Sequence, residues 1–416
     1  MMPHGPDGPR LDVRRINSSA FRIARRGTSR EINRLISLNL VREKQPISRA
    51  DLARLMGLRP GAVSLIVNDL LRSGLVFEGA KGVSKGGRRP TQLYIETRRR
   101  CSVAIDINAS QTSILATDLL GGALMDVSEF PTGRQPKPFV KELGGRVEQI
   151  LADHPEFGDC IGIGVVVSGL VDLRGGQLKY SPTLGWRDVD LVGPLSAITR
   201  LPVLLENSVK ACILAQVWAV SGDSPMDGPV AFVNVSDGVG VGIAVDGKLL
   251  RGAHNIAGEF GHVPLNMFGP ICSCGRRGCL EAYVSNRAII ARYLGVDSSW
   301  SGLPPAGPVT VEDIIARARA GESRALETLR ETGYYLGQGF ATIVKSVDPS
   351  RIYIGGEITE GWDLFASMVR DALRERALIR EGGETEIRVV GLSEHPRLRG
   401  AAALVLTPAF AAPTVA

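Results

Sequence analysis

Three cysteines and one histidine lie close together in the second half of the chain. Cys272, Cys274 and Cys279 fall within the eight-residue stretch CSCGRRGC, and His262 precedes them by ten positions. Structural zinc sites take four Cys or His ligands in a tetrahedron, and the glycines inside this stretch would let the three sulfurs converge. The spacing therefore predicts a Zn²⁺ site held by these four residues, with a redox cluster as the alternative.

Positive charge is concentrated at the start of the chain. The 416 residues carry a net charge of +6, but residues 1–100 have a balance of +13 and residues 101–416 one of −7. A basic segment on an acidic body is typical of nucleic-acid-binding proteins, although a solvated basic tail has the same composition. Neither a run of eighteen apolar residues nor an apolar leader is present. We therefore expect a cytoplasmic protein without a membrane span.

Residues 28–97 have the pattern of a winged helix-turn-helix domain. The stretch REINRLISLNLVRE has apolar residues near helical spacing and predicts a first helix. Ser48, with Asp51 three residues later, predicts a capping box that opens a short second helix. In that helix, we expect Leu52 and Leu55 to face inward.

A third helix is predicted after a turn at Gly57, and its outward face is a candidate for DNA contact. Pro60 suits its first turn. Its inward stripe is predicted to be Val63, Ile66, Val67 and Leu70. In a major groove, the helix would present Arg59, Ser64 and Asn68 to the DNA. A solvated helix face is the alternative for each of these residues, and an interaction module without DNA is the alternative for the whole segment.

A basic loop between two apolar runs predicts the wing. Residues 75–77 and 93–95 flank Gly86-Gly87-Arg88-Arg89-Pro90 in the pattern of a β-hairpin. Glycines let the backbone approach DNA closely, and arginines favour a narrow minor groove. Arg88 and Arg89 are therefore further DNA-binding candidates. Residues 1–27 lack any period and predict a disordered basic arm.

Strands alternate with helices from residue 101 onward, which predicts an α/β fold. Apolar runs begin at Ser102, Ile161, Val230 and Arg351, and helical stretches separate them. Glycine-rich turns follow these runs. They lie at 106–110, 162–169, 237–242 and 355–356. Turns after the strands of an α/β sheet are where a substrate or a phosphate is usually bound.

Several motifs of this body resemble those of the ROK family, which includes transcriptional repressors and sugar kinases. They are Gly258-Glu259-Phe260-Gly261-His262, the cysteine stretch with Leu280-Glu281, Ser168-Gly169-Leu170-Val171-Asp172, Leu205-Glu206-Asn207, and Asp348-Pro349 followed by Ile354-Gly355-Gly356. The resemblance covers residues 101–416 and implies a two-lobed actin/hexokinase-like domain. Lobe 1 would span 101–220 with a C-terminal helix at about 396–416, and lobe 2 would span 221–395 with the zinc loop. With the winged helix in front, the layout resembles that of the family's repressors.

The resemblance also implies a ligand set. Sugar hydroxyls would be bound by Asn207, Glu259, His262 and Glu281, and structural zinc by His262 with the three cysteines. Carboxylates accept hydroxyl hydrogen bonds strongly, and a histidine that gives one ring nitrogen to zinc keeps the other for a hydroxyl. For Glu259 and Glu281, the alternatives are surface charge and support of the metal ligands.

Two departures separate this chain from the kinases that it resembles. Where the kinases have the aspartate of an E-N-D motif as general base, this chain has Ser208, and serine cannot act as a base without help. Where they have D-x-G-G-T against the ATP phosphates, this chain has Asp106-Ile107-Asn108-Ala109-Ser110, which places side chains in the turn. Losing a general base typically costs about 10²–10⁴-fold in rate. We therefore expect no useful kinase activity.

Together, these patterns predict a transcriptional repressor that binds double-stranded operator DNA and is released by a sugar effector. We expect a homodimer or homotetramer, because paired DNA-binding heads read paired half-sites. One alternative is a ROK-type sugar kinase with an appended DNA-binding domain. Another is a regulator whose effector is a second protein.

Overall fold

A computed structural model describes residues 28–81, 89–219, 228–296 and 309–410. The described residues form two compact units, one within residues 1–96 together with Phe410 and one within residues 97–409. Within the described ranges, no helix combines the length and the apolar character that crossing a membrane requires. The predicted basic arm at 1–27 lies outside those ranges.

The first unit contains three helices and a small antiparallel sheet. The helices are α1 (Thr28–Lys44), α2 (Arg49–Met56) and α3 (Pro60–Arg72), and the strands are β1 (Ile47–Ser48), β2 (Val76–Lys81) and β3 (Thr91–Ile95). The sheet order is β1-β3-β2. Ser48 and Asp51 form the predicted capping box at the start of α2. Gly57 ends α2 with a left-handed φ of +64°, which a residue without Cβ adopts at little cost.

The core of this unit confirms the predicted inward stripe of α3 but corrects that of α2. Val63, Ile66, Val67 and Leu70 are buried. Leu55, by contrast, is 51% exposed, so the expectation that it faces inward was wrong. The buried residues of α2 are Leu52 and Ala53. Successive residues of a helix are rotated by 100°, so the inward stripe continues from these two residues to Met56 and leaves Leu55 on the outer side. The sulfur of Met56 accepts a hydrogen bond from the Ser37 hydroxyl, which places it on the inner side.

The second unit begins with a five-stranded sheet. Its elements are β4 (Arg100–Ile107), β5 (Gln111–Thr117), β6 (Ser128–Pro131), α4 (Pro136–Asp153), β7 (Asp159–Val167), β8 (Leu170–Asp172), β9 (Gln177–Ser181), β10 (Trp186–Asp190), α5 (Val192–Thr199), β11 (Val203–Asn207) and α6 (Ser208–Ala219). The sheet order is β11-β7-β4-β5-β6, and β8, β9 and β10 form a separate antiparallel sheet. Strands β4, β7 and β11 are parallel, whereas β5 and β6 are antiparallel to their neighbours.

A second five-stranded sheet repeats this connectivity. Its elements are β12 (Pro229–Val235), β13 (Val239–Val245), β14 (Lys248–Leu249), α7 (Glu281–Val284), α8 (Asn286–Leu294), α9 (Val311–Arg319), α10 (Ser323–Val347), β15 (Arg351–Gly355), α11 (Trp362–Arg376), α12 (Arg380–Gly383), β16 (Glu386–Val389) and α13 (Pro396–Phe410). The sheet order is β14-β13-β12-β15-β16. In each sheet, an antiparallel meander is followed by two strands that extend it in parallel. The expected α/β fold is therefore confirmed, and its two five-stranded sheets share one connectivity.

Helix α13 packs directly on the first of these sheets. A Cβ at Gly164 in β7 would lie 1.8 Å from the Ala401 carbonyl oxygen, and one at Gly400 would lie 2.2 Å from the Ala211 carbonyl oxygen in α6. Only glycine permits backbones to approach so closely. This packing sets the start of α13, including Arg397, beside the turn that follows β4.

Candidate functional site

A cleft of about 820 Å³ in the second unit collects most of the polar residues that the sequence singles out. Its lining includes Asn108, Ser168, Asn207, Ser208, Lys210, Asp237, Glu259, His262, Glu281, Glu357 and Arg397. Several of these residues follow the carboxyl ends of parallel strands, which meet at one edge of a sheet. The four residues predicted to bind a sugar all line this cleft.

Asn207 is the last residue of β11, and its side chain is held from both ends. Its amide Nδ2 donates to the Gly169 carbonyl oxygen at 2.8 Å. Its Oδ1 accepts hydrogen bonds from the backbone N–H groups of Val209 (3.0 Å) and Lys210 (3.2 Å). Asn207 therefore caps the first turn of α6, and one amide hydrogen is left for a ligand.

Glu259 and His262 lie on a loop that is pressed against β13. A Cβ at Gly258 or at Gly261 would approach a backbone carbonyl oxygen of β13 to 2.0 Å, which explains the glycines on either side of Glu259. Glu259 is 46% exposed, and its Oε2 lies 4.0 Å from Nε2 of His262. The opposite ring nitrogen, Nδ1, lies 3.6 Å from the sulfur of Cys272. The imidazole thus presents one nitrogen to the cysteines and the other to the cleft carboxylate.

Glu281 is buried and already has a partner for each carboxylate oxygen. Its Oε1 accepts hydrogen bonds from the Ser273 hydroxyl and, at 3.4 Å, from the Cys272 thiol. Its Oε2 accepts one from the backbone N–H of Val239 at 3.1 Å. Glu281 therefore connects the cysteine loop to the start of β13. Of the roles predicted for Glu281, this geometry favours support of the cysteine loop over surface charge.

His262, Cys272, Cys274 and Cys279 converge as the spacing predicts. Each offers one ligand atom, and these atoms all lie within 4.8 Å of one another. For a tetrahedral ion with metal–sulfur bonds of about 2.3 Å and a metal–nitrogen bond of about 2.0 Å, the ligand atoms would be about 3.8 Å (S–S) and about 3.5 Å (S–N) apart. The Cys274–Cys279 sulfurs are 3.7 Å apart, and Cys272 Sγ is 3.6 Å from His262 Nδ1. The four residues therefore fit a tetrahedral metal ion.

The turn after β4 is occupied by side chains rather than left open. Asn108 Nδ2 donates to Oδ2 of Asp106 at 2.9 Å, and the guanidinium of Arg397 donates to Oδ1 of Asn108. Arg397 also lies 3.9 Å from Asp106 Oδ2. Asp106 is buried, and burial raises its pKa, which Arg397 and Asn108 oppose. Nearby, the Ser208 hydroxyl lies 3.3 Å from that of Ser168.

On the first unit, the outward face of α3 is held by a residue that the sequence reasoning missed. Arg49, at the start of α2, donates to Asn68 Oδ1 (2.9 Å) and to the Ser64 carbonyl oxygen (3.4 Å). Arg59 is exposed, and so is Arg89. Arg88 lies outside the described residues. A basic residue at the first position of α2 is a signal from which this interaction could have been predicted.

Two cleft residues were also missed, Lys210 and Arg397. Lys210 is a lone cation inside the apolar helix SVKACILAQVWA, which is a visible signal. Arg397 has no such signal, because its partner Asn108 lies 289 positions away in the chain.

Comparison with known proteins identifies the family whose sequences and structures this chain resembles. A model described as ROK family matches residues 102–407. The xylose repressor of Bacillus spizizenii is 29% identical over 379 residues, which cover 91% of this chain and 95% of that protein. The DNA-binding transcriptional dual regulator NagC of Escherichia coli is 27% identical, over 90% of this chain and 92% of that protein. A solved ROK family transcriptional regulator, described as a homolog of E. coli MLC protein, shares the fold with a TM-score of 0.75 at 24% identity, over 91% of this chain and 97% of that one.

Proposed function

The chain belongs to the ROK family, and on that premise we propose that it is a transcriptional repressor that a sugar or sugar derivative releases from its operator. The observation that carries the proposal is the extent of the similarity to curated repressors. It spans 91% of this chain, whereas the family domain accounts for residues 102–407 alone. The similarity therefore includes residues before 102, where α1, α2, α3 and the β-hairpin lie.

The DNA-binding half of the proposal is supported by the first unit. Helix α3 follows α2 across a tight turn, as in a helix-turn-helix motif, and would enter the major groove. Arg59, Ser64 and Asn68 would contact base edges or phosphates, and Arg88 and Arg89 the minor groove beside them. Arg49 would hold Asn68 in one orientation before DNA arrives.

The sugar-binding half of the proposal is supported by the cleft. Asn207, Glu259 and His262 together offer donors and an acceptor for several sugar hydroxyls. Glu281 would hold the cysteine loop beside them. Binding of the sugar would weaken DNA binding only if the two conformations of the protein differ in sugar affinity. The names of the two curated relatives, xylose repressor and NagC, do not point to one shared sugar, so the class of effector has to come from this chain's own residues.

We assign the tetrahedral cysteine–histidine cluster to structural Zn²⁺. The four residues would take all four positions of the tetrahedron, which would leave no open position for a substrate. When bound, the ion supplies a rigid cross-link that holds the loop bearing His262. Because His262 also faces Glu259, the metal would orient the residues that contact the sugar.

We propose no kinase activity, in contrast to the alternative of a kinase with an appended DNA-binding domain. The position of the general base holds Ser208, whose hydroxyl lies 3.3 Å from the hydroxyl of Ser168. The turn that would admit phosphates is filled by Asn108 and Arg397. Both the base and the phosphate site would have to be rebuilt for phosphoryl transfer.

We further propose a homodimer or homotetramer that acts in the cytoplasm, where operator DNA lies. Two helix-turn-helix units related by a twofold axis would read a pseudo-palindrome whose half-sites are spaced by whole helical turns.

Fluorescence anisotropy on the duplex upstream of the protein's own gene tests this function. We expect salt-dependent binding that one sugar or sugar derivative of a panel relieves. A regulator whose effector is another protein would bind the duplex and ignore the whole panel. A coupled ADP assay with the same panel should show no turnover, and turnover with any sugar would favour the kinase alternative.

A further inference from the structure

Lys210 is a buried cation in the wall of the cleft. It is the third residue of α6, its relative exposure is 3%, and it lines the cleft beside Asn207 and Ser208. Its ammonium group donates hydrogen bonds to the backbone oxygen of Asn255 and, at 3.0 Å, to the side-chain oxygen of the same residue. An ammonium has three hydrogens, so one donor remains for another partner.

Both oxygens that accept hydrogen bonds from Lys210 belong to Asn255 and are neutral, so the charge of Lys210 has no direct counter-ion. In the part of the chain that the structure describes, no carboxylate oxygen lies within 4.0 Å of its Nζ. The nearby Glu206 is fully buried and is already paired with Arg251, whose Nη2 lies 2.8 Å from its Oε2. Glu259 faces His262. Burial lowers the pKa of Lys210, and Glu206 and Glu259 oppose that effect from a distance.

A buried charge is normally paired, because leaving an ammonium group out of water without a counter-charge costs free energy. The cleft is where a counter-charge can reach Lys210 from outside. From this geometry we infer that the effector is an acidic sugar, whose carboxylate or phosphate group pairs with Lys210. The inference rests on the proposed sugar-responsive function and names the chemical class of its effector.

The neighbouring residues of α6 support the same assignment. Ser208 stands where the kinases of the family have an aspartate, and a carboxylate there would repel an acidic group on the ligand. In this chain, the first turn of α6 instead presents a hydroxyl at Ser208 and an ammonium at Lys210. This edge of the cleft is therefore rich in donors, whereas Glu259, on the facing loop, can accept hydrogen bonds from the hydroxyls of the sugar ring.

Matched pairs of ligands test the inference on the full-length protein. Each pair shares a sugar ring and differs in charge: D-glucuronate against D-glucose, D-galacturonate against D-galactose, D-glucose 6-phosphate against D-glucose, and N-acetylglucosamine 6-phosphate against N-acetylglucosamine. Thermal shift finds the pairs that bind, and calorimetry gives their Kd. The uronate and phosphate pairs distinguish a carboxylate from a phosphate.

We expect the acidic member of at least one pair to bind about tenfold or more tightly than its neutral partner. In Lys210→Met, this difference should disappear, while Lys210→Arg should keep most of it. Lys141→Met, which removes an exposed lysine of α4, is the matched control and should bind like the wild type. Lys210→Gln serves as a second neutral variant if the methionine variant does not fold.

Three results would overturn the inference. In the first, Lys210→Met binds the acidic member as tightly as the wild type does. In the second, only neutral sugars bind and release DNA, so that the proposed function stands and the effector class is wrong. In the third, no member of any pair binds or releases DNA, and both the inference and the sugar-responsive function fail.

Discussion

Arg397, at the start of α13, donates a hydrogen bond to the side chain of Asn108 in the turn after β4. The same guanidinium lies 3.9 Å from the buried carboxylate of Asp106. By the resemblance to the kinases of the ROK family, this turn corresponds to the one that we expect to face nucleotide phosphates in those enzymes. Here, the guanidinium of Arg397, from near the end of the sequence, fills this turn. The protein itself therefore provides a positive charge opposite Asp106.

Removal of this cation should destabilise the protein. We expect Arg397→Ala to lower the free energy of unfolding at neutral pH by about 2–4 kcal/mol, because Asp106 would remain buried without its counter-charge. Urea denaturation measures the change. The matched control is Arg399→Ala, two residues later and exposed, which should change stability by less than about 0.5 kcal/mol. Equal effects of the two variants would show that Arg397 is not a partner of Asp106.

The effect of Arg397→Ala should also depend on pH. Burial already raises the pKa of Asp106 above its ordinary value, and loss of Arg397 would raise it further. A carboxyl whose pKa is raised in the folded state favours folding while it is protonated, and this contribution is lost as pH rises through the folded pKa. The stability difference between wild type and variant should therefore shrink as pH falls. A difference that is constant with pH would contradict this explanation.

For Lys210, the stability difference between wild type and variant should change with pH in the opposite direction, in the protein without ligand. The pKa of Lys210 is lowered by burial, so the cost of burying its charge is present at neutral pH. As pH rises toward the ordinary lysine value of about 10.4, the buried amine loses its proton first and the cost is relieved. Lys210→Met should therefore be at least as stable as wild type at pH 7, and the difference should narrow toward pH 10. In Lys141→Met, the difference from wild type should not change over this range.

The cysteine–histidine cluster should hold one metal ion per chain. Metal analysis of the purified protein measures the content, and Cys279→Ser should lower it strongly because one of four ligands is removed. Cys212→Ala, which removes a buried cysteine outside the cluster, should retain the full content. Full metal occupancy in Cys279→Ser would rule out the assigned ligand set.

A variant of Glu281 tests whether this residue supports the cysteine loop. Glu281 accepts hydrogen bonds from the Ser273 hydroxyl of the cysteine loop and from the Val239 N–H of β13, so Glu281→Ala, which removes both, should weaken metal binding about 10- to 100-fold, as loss of a group that supports metal ligands typically does. Competition with a chelator gives the affinity. If the metal affinity is unchanged and only sugar binding falls, Glu281 contacts the sugar directly.

The salt dependence and the sequence preference of DNA binding should distinguish residues that contact phosphates from residues that contact bases. Arg59→Ala should weaken binding to all duplexes, and it should reduce the slope of log K against log salt by about one for every phosphate that the arginine neutralises. Asn68→Ala should instead relax sequence preference by about 1–3 kcal/mol at one position. Arg376→Ala, an exposed arginine of α11, is the control. Equal salt slopes for all variants would place the DNA elsewhere.

Short-range features of this protein could be predicted from its sequence. The capping box of Ser48 and Asp51, the left-handed glycine that ends α2 and the inward stripe of α3 each depend on residues within one or two turns of each other. The convergence of His262 with the three cysteines was also predictable, because the cysteines share one short loop with glycines at its bends. Local backbone geometry alone is enough to specify such features.

Only the tertiary structure decided which side of α2 faces the core and which distant residues meet in the cleft. Leu55 has the same residue type as Leu52, but the way α2 packs turned it outward. Lys210 meets Asn255 across 45 positions, and Arg397 meets Asn108 across 289. Which distant side chains come together depends on how two sheets and their helices pack, and that packing is a property of the whole chain. The sequence alone therefore indicated the family, the cysteine–histidine cluster and the serine at the position where the kinases have a base, while the fold determined which charges line the cleft.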